Sequence, residues 1–275
     1  MNGQKARAQV SAGKLRGEHD SRLADACSAV ERAEGRVRDD ASIRIQLPDP
    51  DVATSRRLAT LELPDESGEL RPVVLMGPER IALTGPNGSG KTTLLDAIAT
   101  SARALGGGGI DRVEDSTRVG TRGGAWVTAS TTRVGYLRQR LDGLDDAASV
   151  LDNVRRAAPD TAVQELRAQL ARFLLRGAVV DRPVSSLSGG ERFRVSLVRL
   201  LLATPPAQLL LLDEPTNNLD RESAAQLVDA LRDYRGALLV ASHDTRFLGR
   251  LELTGQLELS GTGGLESAGR FVEEA

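Results

Sequence analysis

The most constraining feature of this chain is the run Gly85-Pro86-Asn87-Gly88-Ser89-Gly90-Lys91-Thr92-Thr93. It has the form G-x-x-x-x-G-K-[ST], a phosphate-binding loop. Arg80-Ile81-Ala82-Leu83-Thr84 ahead of it reads as a short buried strand, and Thr92 to Ala99 behind it as a helix. Glycines at these positions let backbone N–H groups turn inward around phosphate oxygens, and the helix N-terminus adds the positive end of its dipole. Lys91 is placed to reach β- and γ-phosphates, and the Thr92 hydroxyl to ligate Mg²⁺. The competing reading, a glycine-rich turn before an ordinary helix, leaves the Lys91-Thr92 pair unexplained.

The rest of the chain supplies strands and helices in alternation around that loop. Leu58 to Leu63 and Pro72 to Met76 read as strands of an antiparallel subsheet, and Ala125 to Thr128 resumes strand character after a glycine break at Gly106 to Gly109. Arg133 to Gln139 reads as a strand ending in a glutamine. Helical patterns follow at Ser149 to Arg156 and at Thr161 to Leu175, the second closed by Gly177, and then at Phe193 to Leu202. The strands expected over Gln208 to Leu212, apolar from Leu209 on, and over Ala237 to Ala241 read as central parallel strands, with a helix from Ser223 to Tyr234 between them. This order predicts an α/β domain with a largely parallel core sheet.

Three further stretches carry chemistry. Leu209-Leu210-Leu211-Leu212 ends in Asp213-Glu214, so two carboxylates emerge at the C-terminal end of a buried strand, where open α/β sheets bind ligands. Asp213 is placed to hold Mg²⁺ through water, and Glu214 to polarise the water that attacks the γ-phosphate. Leu187-Ser188-Gly189-Gly190-Glu191 opens a helix and is either a plain N-cap or a second anion site of the same kind. His243 directly follows an apolar strand in a chain with 2 histidines, in position to donate to a γ-phosphate and hold Glu214 and the water in line.

Taken in order, these stretches resemble an ATP-binding-cassette (ABC) ATPase over roughly residues 57 to 259. Gly85 to Thr93 resembles the family's Walker A loop, Gln139 the Q-loop glutamine, and Leu187 to Glu191 the signature. Asp213-Glu214 resembles the Walker B end, Asn217-Asn218-Leu219-Asp220 the D-loop, and His243 the switch histidine. The resemblance implies a P-loop ATPase domain with a parallel core, an antiparallel β subdomain and a helical signature subdomain. Its ligands would be ATP and Mg²⁺, with Thr92, Gln139 and Asp213 toward the metal and Lys91, Gln139, Glu214 and His243 toward catalysis. Nucleotide contacts would come from residues 85 to 93 and, on the ATP of an opposing cassette, from Ser188, Gly189, Gly190 and Asp220. One phosphate loop and one signature imply that a second cassette completes each site.

Glu214-Pro215-Thr216-Asn217-Asn218-Leu219-Asp220 further resembles the E-P-T-N-H-L-D run of the ABC-F subfamily, with Asn218 where histidine is common. Upstream, Leu23, Ala26, Val30, Ala33 and Val37 recur at spacings of three and four, a heptad-like seam followed by Ile43 to Pro50. The seam fits either an amphipathic helix on its own domain or half of an antiparallel hairpin like the end of the ABC-F interdomain linker. The domains expected are a helical segment over 1–42, the cassette over 43–265 and a polar tail over 266–275. The resemblance implies action on the ribosome, as a translation factor or in antibiotic resistance. A transporter motor docking a membrane partner near Gln139 to Leu175, and a half-length remnant with little turnover, are the alternatives. It covers the second half of an ABC-F chain, which leaves a half-size protein, a truncated product and a segment of a longer one all open.

Composition narrows the setting. A net charge of -2 and a pI near 5.9 provide no global basic field for nucleic acid, though local basic faces fit within a neutral total. The single cysteine, Cys27, excludes a disulfide framework within these residues and suits a reducing cytosol. The polar N-terminus lacks an apolar signal region, and runs such as Leu209 to Leu212 are far too short to cross a bilayer, so a cytoplasmic protein without a membrane span is expected. Finally, no aromatic residue occurs before Trp126. Cassettes often stack adenine on an aromatic upstream of the phosphate loop, so weak discrimination between ATP and GTP is predicted.

Overall fold

The computed structural model describes residues 47–106, 117–139, 143–217, 219–261 and 264–270. The heptad seam, Asn218, most of the strand expected over Ile43 to Leu47 and the break after Gly106 lie outside the described residues. The strands are β1 (Arg57–Pro64), β2 (Leu70–Met76), β3 (Arg80–Thr84), β4 (Val119–Gly120), β5 (Trp126–Ala129), β6 (Val134–Leu137), β7 (Leu209–Asp213), β8 (Ala237–Ala241), β9 (Gly255–Leu259) and β10 (Leu265–Arg270). The helices are α1 (Lys91–Gly106), α2 (Val150–Ala157), α3 (Val163–Arg172), α4 (Gly189–Leu201), α5 (Arg221–Asp233) and the single turn α6 (Thr245–Leu248).

Two sheets form. The larger has the order β10-β9-β3-β8-β7-β6, parallel throughout except for the β9–β10 hairpin, and the smaller is the antiparallel β2-β1-β5-β4. The larger sheet must be covered on both faces, and period-two alternation along its apolar strands shows how. Leu210, Leu212, Leu238 and Val240 enter one core with residues of α2, α3, α4 and α5. Their neighbours Leu209, Leu211, Ala237, Leu239 and Ala241 enter the other, which holds α1 and the inner face of the small sheet. A strand that is apolar at every position is therefore the sequence signature of a sheet sandwiched between two cores.

The strand that feeds the phosphate loop is anchored at its start. The Arg80 guanidinium donates to the carbonyls of Leu231, Tyr234 and Leu251 at 2.7, 2.7 and 3.1 Å. It thereby satisfies carbonyls at the C-terminal end of α5 and ties that helix to β3, an arrangement favoured by the helix dipole.

Two expectations are corrected. The stretch expected as a polar tail from 266 contains β10, which pairs antiparallel with β9, with a register shift between Leu265 and Ser267, and forms the edge of the larger sheet. The helix expected to run to Leu175 and close at Gly177 ends at Arg172. Leu174 there takes φ 57, a left-handed terminus that sequence reading assigns to glycine, and Gly177 opens a short 3₁₀ turn instead.

Candidate functional site

The loop between β3 and α1 is shaped by close approach. Gly85 has φ +134, and a Cβ there would sit 2.3 Å from the Leu259 carbonyl oxygen and 3.0 Å from Ser89 Oγ. The end of β9 thus passes directly against the loop, which only glycine permits. Gly88 and Gly90, at φ +83 and +89, are glycines for conformation alone, since nothing stands within 4 Å of a Cβ at either.

Lys91, the first residue of α1, is 8% exposed, and its ammonium donates to the carbonyls of Gly85 and Pro86 at 2.7 and 3.0 Å. Burial pulls its pKa down, opposed by the carboxylates of Glu214 and Asp213. The adjacent Thr92 hydroxyl donates to Asp213 Oδ2 at 2.8 Å, joining the first turn of α1 to the end of β7. Asp213 is 3% exposed, and burial raises its pKa despite the Thr92 hydrogen bond.

Beyond β7 the chain turns sharply. Glu214 takes φ 45, and its N–H donates to the Ala241 carbonyl at 2.8 Å. This ties the turn to the end of β8, where His243 follows. His243 Nε2 lies 3.6 Å from Glu214 Oε1, and its backbone N–H donates to Oε2 at 3.4 Å. Glu214 Oε1 itself is buried without a hydrogen-bond partner. A left-handed glutamate with an unsatisfied buried oxygen is local strain of the kind that gathers at functional sites.

These groups share one cleft of about 600 Å³, lined by Asn87, Gly88, Gly90, Lys91, Thr92, Thr93, Gln139, Asp213, Glu214, Asn217 and His243. The fold therefore brings together most of the loop from Asn87 on, both carboxylates, the glutamine after β6 and the histidine, while Gly85, Pro86 and Ser89 do not line the cleft. It does not bring in the remaining candidates. Ser188, Gly189 and Gly190 start α4 outside this cleft, with a reciprocal Ser188–Glu191 capping box. Hydrogen bonds from the Ser188 backbone and side chain lower the Glu191 pKa. A Cβ on Gly189 or Gly190 would meet nothing within 4 Å, so this chain's own packing does not require glycine there. Asp220 also stands outside the cleft, its Oδ1 accepting from the Ser223 N–H at 2.7 Å as the N-cap of α5.

Sequence reasoning passed over the turn between β4 and β5. Thr121, Arg122 and Gly123 line a smaller hollow of about 270 Å³ with the loop residues Gly88, Ser89 and Gly90. The only trace in the sequence is a Thr-Arg-Gly-Gly turn, which carries no motif.

Comparison with known proteins follows the same lines. Residues 75–217 match the ABC transporter family. The chain is 37% identical over 179 residues to the ATP-binding protein Uup of Escherichia coli, covering 64% of this chain and 25% of that one. It is 32% identical over 171 residues to the ABC transporter F family member 2 of Arabidopsis thaliana, covering 62% and 23%. It is also 32% identical over 170 residues to the ATP-binding cassette sub-family F member 3 of Mus musculus, covering 62% and 21%. Alignment with the curated relatives YdiF of Bacillus subtilis and Uup of Caulobacter vibrioides likewise spans only 25% and 30% of their lengths.

Proposed function

The chain belongs to the ABC transporter family as an ABC-F-like, ATP-binding cassette, and from that premise we propose that it hydrolyses ATP together with a second cassette and acts on the ribosome. The observation that carries the hydrolytic reading is the convergence of Lys91, Thr92, Asp213, Glu214 and His243 on one cleft at the ends of β3, β7 and β8.

In this reading the loop N–H groups and Lys91 hold the β- and γ-phosphates of ATP. Lys91 would exchange its two carbonyl partners for phosphate oxygens. Glu214, whose Oε1 is free of hydrogen bonds, accepts a proton from water aligned with the γ-phosphate, while the His243 backbone N–H holds Oε2 and its imidazole stands beside Oε1, within reach of the same water and phosphate. The neighbouring Thr92 hydroxyl and Asp213 carboxylate, with Gln139 on the same cleft, are hard oxygen donors that fit Mg²⁺. When bound, that ion would neutralise charge developing on the phosphates.

The separation of Ser188, Gly189 and Gly190 from the cleft supports the need for a second cassette. At this helix N-terminus the Glu191 carboxylate caps Ser188, while the two uncrowded glycines leave backbone open to an opposing cassette's ATP. No described helix is long and apolar enough to cross a membrane.

For the partner, the ribosomal reading rests on the ABC-F-like relatives, and the groove beside β6 carries arginines, two of them paired with Asp96 and Asp145, alongside Val134, Tyr136, Leu137 and Leu200. The arginines in its described lining are Arg103, Arg133, Arg138, Arg156 and Arg199.

The test is ATP turnover across a wide range of protein concentration, with Glu214→Gln as control, beside co-sedimentation with ribosomes. Specific activity that climbs with concentration, and a Glu214→Gln loss of at least about 10²-fold with nucleotide binding kept, is expected. Equal turnover by Glu214→Gln would overturn the hydrolytic assignment. Co-purification with a membrane protein and none with ribosomes would replace the ribosomal reading by the transporter one.

A further inference from the structure

We propose that Arg138 is a positioning residue that fastens Gln139 to α1, and so sets the metal side of the cleft, through an ion pair with Asp96 and a stack on Tyr136. This rests on the reading of the cleft as an ATP and Mg²⁺ site and says how one of its donors is held.

The need arises from the topology. β6 is an edge strand of the larger sheet, bonded there to β7 alone, and their ladder ends at the pair Leu137–Leu212. Gln139 therefore lies two residues past the last pairing, is exposed, and lines the cleft from there. Asp213, by contrast, is paired with Ala241 of β8 and accepts from the Thr92 hydroxyl at 2.8 Å. A long glutamine side chain on a loose backbone loses more freedom on reaching a ligand than one already held.

Arg138 supplies the hold. Alternation along β6 sends Leu137 into the core built with α2 to α5, and Tyr136 and Arg138 to the other side, where α1 packs. The Tyr136 ring packs against that second core, and the centre of the Arg138 guanidinium stands 4.9 Å from the ring centroid. From there Arg138 Nη2 reaches Asp96 Oδ1 at 2.8 Å. The two side chains are 38% and 40% exposed, so the pair is only half solvated. Stacking on the ring also fixes the guanidinium plane, which a free surface pair leaves loose.

Asp96 lies one helical turn after Thr92 on α1, so the pair closes on the side of the helix that presents the Thr92 hydroxyl to Asp213. The residue immediately before Gln139 is thereby tied to the helix that begins at Lys91. Thr92, Asp213 and Gln139 are then all referenced to α1.

Arg138 and Asp96 also act on Asp213 through space, in opposite directions. The two routes differ in sign. Loss of a cation beside the cleft favours Mg²⁺ by charge alone, whereas loss of the tether weakens it.

The test is the Kd of a fluorescent, non-hydrolysable ATP analogue for the full chain in EDTA and in Mg²⁺, the ratio of the two reading what the metal adds. Arg138→Met and Asp96→Asn are each expected to lower that ratio by about two- to fivefold, the range of a half-exposed ion pair. Thermal melts of both variants should stay close to wild type. Arg138→Lys, which still reaches Asp96 but does not stack as a plane, should fall between Arg138→Met and wild type. In a Gln139→Ala background neither change should lower the ratio further, because the tether then holds nothing. A ratio above wild type for Arg138→Met, with Asp96→Asn below it, would assign the pair to the field on Asp213 and overturn the proposal. Losses additive with Gln139→Ala, or a ratio unmoved by either single variant, would overturn it as well. Equal wild-type affinities in Mg²⁺ and EDTA would instead remove the Mg²⁺ reading on which the proposal stands, and the proposal with it.

Discussion

Gly85→Ala separates the two reasons for glycine in the phosphate loop. At Gly88 and Gly90 an alanine meets no neighbour, so each replacement carries only the strain of a left-handed backbone, about 1–2 kcal/mol. At Gly85 the φ of +134 belongs to a region populated almost only by glycine, which costs about 1–3 kcal/mol. The new methyl also falls 2.3 Å from the Leu259 carbonyl oxygen. That atom is backbone at the end of β9 and cannot rotate aside, so the loop or the β3–β9 pairing must give way. The pairing at risk runs from Ile81–Gly255 to Thr84–Glu258. We expect a total of about 3–5 kcal/mol, the range of substitutions that combine backbone strain with overpacking. Equilibrium unfolding in urea, monitored for all three variants, gives the comparison. Midpoints for Gly88→Ala and Gly90→Ala should fall modestly and together, and that for Gly85→Ala at least twice as far. A Gly85→Ala midpoint equal to that of Gly88→Ala would refute the contact between loop and β9.

Other substitutions probe the core and the buried carboxylate. Asp213→Asn should stabilise the chain at pH 7, because burial raises the Asp213 pKa in the folded state. A raised folded pKa favours the native state below the unfolded value, and that advantage is lost as pH rises through the folded pKa. The gain from asparagine should therefore vanish near pH 4, and thermal melts at the two pH values check the sign. Leu210→Ala, at a fully buried position in the helical-side core, should cost about 2–5 kcal/mol in denaturant unfolding. Arg167→Ala, which breaks an exposed pair with Asp181, should change stability by less than about 1 kcal/mol in the same assay.

What was legible in the sequence follows from which interactions leave a pattern. The all-apolar strands β7 and β8 and the strand before the phosphate loop were readable because burial on two faces demands apolar residues at every position. β10 was not, since Leu265-Glu266-Ser267-Ala268-Gly269-Arg270 has no alternating apolar set; an edge strand is held largely by its backbone ladder to β9. The end of α3 was misplaced because a leucine, Leu174, takes the left-handed position normally given to glycine. Within the site, Lys91, Asp213, Glu214 and His243 were found from their positions at strand and helix ends. The hollow beside the β4–β5 turn was not, because its approach to the loop depends on the small sheet folding back over α1, a contact without local sequence signature.

Several unfavourable features of this chain lie around the cleft, although others do not: Leu174 and Glu252 are also left-handed, and Arg194 Nε, Ser196 Oγ and Gln226 Oε1 are also buried without a partner. Lys91 and Asp213 are both desolvated, Glu214 sits at φ 45 with an unpartnered oxygen, and Ser89 Oγ is buried without a partner. Each lies at or beside the junctions of β3 with α1 and of β7 with the turn after it, while the cores on either side of the sheet are apolar, mostly leucine, valine and alanine. Such strain persists only when packing elsewhere over-determines it. On the proposed reading a nucleotide gives Lys91 an anion, so binding relieves part of what folding imposes. Stabilisation by ligand then rises as RT ln(1 + [L]/Kd), about 2.7 kcal/mol at 100 times Kd. On the proposed reading, that energy acts on the turns at the ends of β7 and β8 that carry Glu214 and His243, the residues assigned to aligning the attacking water.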